Sequence, residues 1–165
     1  MKILFPHNIP IEWNKKHQDL EYVSNNGTAW KGPEDFNAPN IKMGAHKVEE
    51  PYEWMRCVTD VIDTLPIKNV LYAFNHFEPN SFLPMHSDLY GYYAKTYNIK
   101  DLNNIVRLII FLDDAEPGQL LIIENNCIMN YNKGDVAYWY GRTPHLAANL
   151  CNVDRYTLQI TGTLE

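Results

Sequence analysis

The 165-residue chain is long enough to bury one sizeable core and too short for a second independent domain, so residues 1–165 are expected to form a single unit. With 14 Lys and Arg against 20 Asp and Glu the formal net charge is -6, which repels phosphate backbones and disfavours a nucleic-acid partner. No apolar run approaches the roughly 18 residues a membrane helix needs, and the stretch before Pro6 is too short for a secretory signal; a soluble, cytoplasmic protein is expected.

Residues 1–50 show no sustained period. Ser24-Asn25-Asn26-Gly27, Lys31-Gly32-Pro33 and Asn37-Ala38-Pro39-Asn40 are dense in turn formers and read as a long loop, or as short strands broken by turns. Pro51 to Leu65 reads as a helix, because Trp54, Val58, Val61, Ile62 and Leu65 fall on one face and Pro66 stops it. Beyond residue 67 the period changes to that of strands. Asn69–Phe74, Ile105–Leu112, Gln119–Glu124, Cys127–Tyr131, Val136–Tyr140, His145–Leu150 and Arg155–Gly162 are the expected strands, with Asn125-Asn126 as a hairpin turn. Short strands with frequent turns indicate a mainly β fold, a sandwich or barrel preceded by a helix: residues 1–67 supply the helix and loops, 68–165 the β core. Residues 89–104, with Tyr90, Tyr92, Tyr93 and Tyr97, form a polar aromatic insertion long enough to be functional.

Three cysteines without a C-x-x-C pair read as free thiols packed in the core. Six histidines raise the question of metal binding. In a strand, His86 and Asp88 point to the same face about 6–7 Å apart and can reach a shared ion. Arg155 follows His145 by ten residues; if a turn near Leu150 joins adjacent antiparallel strands, the two side chains lie directly opposite on one face. Period two sets Thr157, Gln159 and Thr161 beside Arg155, the wall of a polar pocket. Two histidines and one carboxylate, with an arginine nearby, are the ligand set of a facial-triad iron site, which leaves three positions open for a chelating 2-oxo acid and dioxygen. The arginine would pair with the distal carboxylate of that acid through a two-pronged contact.

Among the remaining residues, Arg107 interrupts an apolar strand and needs a partner: a substrate carboxylate, or Asp88, Glu124 or Asp135. Arg142 stands in a turn before Pro144-His145, where substrate contact competes with simple solvation. His7, His17, His46 and His76 lack partners at ligand spacing.

The ordered set His86-x-Asp88, Ile105–Leu112, Pro117-Gly118-Gln119, Lys133-Gly134-Asp135, Pro144-His145 and Arg155-x-Thr157 resembles the Fe(II)/2-oxoglutarate-dependent oxygenases, with a pattern closest to prolyl hydroxylase-like members, over roughly residues 68–163. The resemblance implies a double-stranded β-helix, or jelly-roll, core. It implies iron on His86, Asp88 and His145, and 2-oxoglutarate on Arg155 with Thr157. Tyr72 lies where prolyl hydroxylases of this family carry a tyrosine that helps hold the co-substrate. Two departures concern the subfamily. Arg155 stands where procollagen-type enzymes use lysine, and Glu78-Pro79-Asn80-Ser81 replaces the glycine-rich turn before H-x-D. The expected activity is hydroxylation of an amino-acid side chain with Fe(II), 2-oxoglutarate and O2. Peptidyl proline is the first substrate, and aspartyl or asparaginyl residues or a free amino acid are the alternatives. Arg107, Arg142 and Tyr90 are the candidate substrate contacts. A cupin-like module that binds a metal or ligand without turnover is the rival reading.

Overall fold

The computed structural model describes residues 5–13, 19–24 and 42–165. Its strands are β1 (Val23–Ser24), β2 (Met43–Val48), β3 (Ile67–Phe77), β4 (Ser81–His86), β5 (Ile105–Phe111), β6 (Gln119–Ile123), β7 (Asn126–Ile128), β8 (Val136–Tyr140), β9 (His145–Asn149) and β10 (Arg155–Leu164). They form a six-stranded sheet in the order β1-β2-β3-β10-β5-β8 and a four-stranded sheet in the order β4-β9-β6-β7. Every named pairing is antiparallel, and the chain passes repeatedly between the sheets, giving a jelly-roll β-sandwich. No helix among the described residues is long and apolar enough to cross a membrane.

The large sheet is buried on both faces, for two different reasons. Phe74, Leu108, Ile110, Leu158 and Ile160 point outward and are sealed under Phe5, Ile9, Ile11 and Trp13 of the N-terminal segment and under Val58 and Ile62 of α1 (Arg56–Ile62). Full burial of each such side chain contributes about 1.5–3 kcal/mol, so this outer layer is the main core. Ile109, Phe111, Ala137 and Trp139 point the other way, into the sandwich, with Leu121 and Tyr131. Burial on both faces explains why Ile105–Leu112 carries no polar alternation except Arg107.

The expected helix is shorter than its apolar spacing suggested. Glu53–Met55 forms a 3-10 turn, α1 runs from Arg56 to Ile62, and the last turn tightens through Thr64 N–H to Val61 O and Leu65 N–H to Ile62 O. The hairpin between β6 and β7 turns on Glu124-Asn125, one residue earlier than expected, since Ile123 pairs with Asn126 and Glu124 takes φ 53°. β2 and β4 were not resolved from the sequence, and β3 extends to Phe77. None of the three cysteines is buried: Cys57 and Cys151 are half-buried and Cys127 is exposed. Most of the turn-rich stretch, residues 25–41, and His17 lie outside the described residues.

The Asn132–Asp135 turn docks the N-terminal segment. Gly134 takes φ 87°, and a Cβ there would stand 2.6 Å from Ile9 O, so only glycine allows the Ile9 N–H to Gly134 O bond of 2.8 Å. Asp135 accepts hydrogen bonds from the Asn132 amide at 2.8 Å and from Asn8 Nδ2 at 2.9 Å. Partial burial pushes its pKa up, but these bonds outweigh it and hold the carboxyl below its usual range. A depressed native pKa gives stability that is present above the unfolded value, about 3.9, and is lost as pH falls through the native one. Asp135→Asn is therefore expected to lower stability at pH 7 and to flatten the acid limb of the stability profile in urea titrations as pH falls below about 5.

Candidate metal centre and its cavity

β4 reaches its last residue at His86 after a register shift beyond Leu83, and His86 pairs directly with His145, the first residue of β9. The imidazole centroids are 4.2 Å apart. Asp88 lies past the end of β4, so the pair does not share a strand as the H-x-D spacing suggested; the chain turning out of the sheet brings the carboxylate back between the histidines. Nε2 of His86 is 3.8 Å from Asp88 Oδ1, and Nε2 of His145 is 3.8 Å from Asp88 Oδ2. One ligand atom from each of the three residues falls within 4.8 Å of the others.

Backbone carbonyls fix how both rings are presented. His86 Nδ1 meets Pro84 O at 2.8 Å, and His145 Nδ1 meets Thr143 O at 2.9 Å. A carbonyl oxygen only accepts, so both Nδ1 atoms carry the proton and each Nε2 offers its lone pair towards Asp88. Burial pushes the pKa of His145 down. The Thr143 bond and Asp88 oppose this, and the charges of His86 and Arg107 add to it. The imidazole is thus held in the neutral form that ligates metals.

Arg107 on β5 completes this end. Its Nη2 is 3.0 Å from Asp88 Oδ2, so of the partners considered for it the carboxylate of Asp88 is the one it meets. The guanidinium carbon lies 5.2 Å from the centroid of the Tyr90 ring. Tyr90 takes φ 52° at the start of α2 (Gly91–Thr96), and its pKa is pushed up to about 12 by burial, with Arg107 and Asp88 pulling in opposite directions. It therefore supports Arg107 from beneath rather than facing the cavity. Arg142 is exposed on the β8–β9 turn and takes no part in the cavity wall.

The triad opens into a cavity of about 820 Å³ between the sheets, whose walls include Ile109, Leu121, Trp139, Thr157 and Gln159. Arg155 lies at its far end. β9 and β10 belong to different sheets, so Arg155 faces His145's strand across the sandwich and not along a shared ladder, correcting the hairpin expectation. Its guanidinium crosses the gap, and Nη1 donates to Leu120 O at 2.8 Å and Ala148 O at 2.9 Å. Phe77, Phe111 and Tyr131 surround it, each with its ring centroid 5.6–5.7 Å from the guanidinium carbon. Arg155 is 3% exposed, no carboxylate among the described residues pairs with it, and its Nε is buried without a hydrogen-bond partner. Burial pushes its pKa down, yet a guanidinium stays charged, so the site is an uncompensated buried cation. From His145 to Ala148 is three residues of strand, about 10 Å, which sets the separation of the cationic end from the triad.

Thr157 sits where period two set it, buried on the cavity wall, and accepts from Asn75 Nδ2 at 3.4 Å. Tyr72 does not reach the cavity. Asn75 and Phe77 are the β3 residues that face inward, which turns Tyr72 to the opposite face, where it packs in the outer core. Tyr131, which packs on Arg155, and Asn75, which bonds Thr157, escaped the sequence reading. Tyr131 stacks on Phe111 at 3.7 Å and donates to Gln119 Oε1 at 2.7 Å; Asn75 lies beyond the point where the third strand was ended. The period-two continuation Ala73, Asn75, Phe77 was the available signal. The tyrosine-rich segment contributes less than expected: of its residues only Leu89 lines the cavity, while Tyr93 is tied to Asn69 O and Thr163 Oγ1. His46 and His76 also lie off the cavity, bonded to the Glu21 carbonyl and to Asp154.

No protein-family model matches the chain, and no curated protein matches it in sequence. Among solved structures it is similar to a Pseudomonas putida prolyl-4-hydroxylase at 13% identity, over 79% of this chain and 76% of that one, with a TM-score of 0.59. It is also similar to a predicted oxalate decarboxylase of Thermotoga maritima at 12% identity, over 74% and 82% of the two chains, with a TM-score of 0.47. KdgF of a Halomonas species matches at 11% identity over 87% and 93%, with a TM-score of 0.46. Fold and site together define a jelly-roll protein with a His-Asp-His group that could hold a metal ion.

Proposed function

We propose that the chain is an Fe(II)- and 2-oxoglutarate-dependent dioxygenase that hydroxylates an amino-acid side chain. The observation that carries this reading is one cavity with a two-histidine, one-carboxylate donor set at one end and an anion-seeking buried arginine at the other. The residues fit both groups. His86, Asp88 and His145 would hold the iron, and Nε and Nη2 of Arg155, with Thr157 beside them, would hold the distal carboxylate of the oxo acid. Fe(II) bound there supplies oxidation of an unactivated C–H bond by O2, coupled to decarboxylation of 2-oxoglutarate to succinate and CO2.

The chain's own part is orientation and exclusion of water. The Pro84 and Thr143 carbonyls hold the imidazoles in the ligating tautomer. Ile109, Leu121 and Trp139 line the space between the two polar ends with apolar surface. Arg107, held by Asp88 and facing the cavity, is the residue best placed to meet a substrate oxygen. Peptidyl proline is the first substrate candidate, in keeping with the activity for which the Pseudomonas putida protein is named; aspartyl or asparaginyl residues or a free amino acid come second.

Purified protein supplied with Fe(II), 2-oxoglutarate and oxygen is expected to release succinate slowly even without a prime substrate, measured by mass spectrometry. Absence of both succinate and oxo-acid binding in the wild type overturns the proposal. One observation favours a second reading, a metal- or anion-binding module without turnover. Arg107 already balances the charge of Asp88 at 3.0 Å, so the carboxylate does not depend on a metal ion for its counter-charge. Metal uptake without any 2-oxoglutarate affinity is the result that selects it.

A further inference from the structure

The end of the cavity opposite Arg155 holds a second set of unanswered hydrogen-bond donors. Arg107 on β5 and Trp139 on β8 are direct cross-strand partners, and both side chains line the cavity. Nε of Arg107 and Nε1 of Trp139 are each buried without a hydrogen-bond partner. Trp139 is 4% exposed, and its ring lies 4.4 Å from that of His145, so the pair flanks the triad. Guanidinium and indole only donate, and a buried donor left unpaired is costly. The group that satisfies them is therefore an acceptor.

Charge narrows that acceptor to an anion. Among the described residues, Asp88, Arg107 and Arg155 alone bring formal charge to the cavity wall when the histidines are neutral. With a divalent ion on the triad and a dianionic oxo acid on Arg155, these three leave one positive charge without a counterpart. Apolar walls of Ile109, Leu121 and Trp139 screen it poorly. Access agrees with this. Leu89, one residue past Asp88, lines the cavity and is 71% exposed, so the cavity opens at the triad end while buried Arg155 closes the other. At about 820 Å³ it lies high in the roughly 300–1,000 Å³ range of ligand sites, with room for a second ligand beside a small diacid.

We propose that Arg107 and Trp139 form the substrate-recognition subsite of the cavity, and that the prime substrate meets them with a carboxylate. This subsite rests on the iron and 2-oxoglutarate reading and gives it a substrate class. No acidic side chain other than Asp88 lines the cavity among the described residues, and Asp88 is engaged by Arg107. An ammonium entering beside the carboxylate thus finds no counter-charge. The substrate is a carboxylate without a neighbouring ammonium, on an aspartyl side chain or at the C-terminus of a peptide. Peptidyl proline fits where its own carboxylate is free, and a free amino acid falls behind both.

Ligand binding to the full chain loaded with Mn(II) and 2-oxoglutarate, without oxygen, is the test, read as relaxation of the ligand's proton resonances by the bound Mn(II). Two pairs of probes differ only in charge: acetyl-aspartyl-amide against acetyl-asparaginyl-amide, and acetylproline against acetylproline amide. Free proline adds the ammonium. At least one acid is expected to bind at least about 10-fold tighter than its amide, and more tightly than free proline. Preference in the first pair alone assigns the carboxylate to a side chain, and in the second alone to a C-terminus. Arg107→Met is expected to abolish the preference. Trp139→Phe, which keeps an aromatic ring and removes the N–H, is expected to reduce it at least about threefold. A wild type that does not bind 2-oxoglutarate overturns the iron and 2-oxoglutarate reading and the subsite with it. The subsite alone is overturned if 2-oxoglutarate binds but acids and amides bind alike, if the preference survives in both variants, or if free proline binds more tightly than either blocked acid.

Discussion

Arg155→Met is expected to lower the affinity of the metal-loaded protein for 2-oxoglutarate by at least about 100-fold while leaving thermal stability nearly unchanged. The first half follows from the geometry. Nη1 is committed to the Leu120 and Ala148 carbonyls, and the rest of the guanidinium has no anionic partner among the described residues. A two-pronged carboxylate contact made of charge-assisted hydrogen bonds is worth several kcal/mol in such a setting, and each 1.4 kcal/mol is tenfold in affinity. The second half follows from desolvation. A cation 3% exposed and without a carboxylate is a cost to the folded chain, so an apolar side chain of similar length among Phe77, Phe111 and Tyr131 offsets the two lost hydrogen bonds. Isothermal titration and a melting curve on the same preparation read both effects. A fall in affinity accompanied by a large loss of stability would instead make Arg155 a structural tie. Arg155→Lys keeps the charge but not the fork, and is expected to fall between wild type and Met.

His145→Ala is expected to lower divalent-metal affinity by the order of 1,000-fold, since loss of an outer-shell partner alone costs 10–100-fold. His145 is the most buried of the three ligand groups, and its ring lies 4.4 Å from that of Trp139. Asp88 stays paired to Arg107 in the variant, so the site does not recruit a replacement carboxylate. Metal content by mass spectrometry after dialysis checks this; a variant that retains stoichiometric metal removes His145 from the ligand set.

Much of the β core was legible because buried strands and turns leave strong local marks. Val136–Tyr140 was bounded correctly, and Ile105–Phe111 was bounded to within a residue by its apolar run. His86, Asp88 and His145 were legible by residue type and order, and they do converge. What failed depends on contacts distant in sequence. The five residues after β9 looked like a hairpin turn, yet they carry the chain to the other sheet. Asn149 fixes that crossing by donating to Phe77 O, Glu78 O and Val153 O at 3.0, 3.1 and 2.8 Å. No local pattern encodes an amide that ties β3 to the β9–β10 link. Tyr72 failed by parity alone, because a one-residue difference moves a strand side chain to the other face. Asn75 was hidden for the opposite reason, a polar residue in a strand that had been ended too soon.

Titration of 2-oxoglutarate into the protein without oxygen, with Mn(II) bound in place of iron and again with no metal, tests the central claim most directly. The account predicts micromolar binding that requires the metal and that disappears in both Arg155→Met and His145→Ala. Metal uptake with no 2-oxoglutarate affinity, or oxo-acid binding indifferent to the metal and to Arg155, would contradict it.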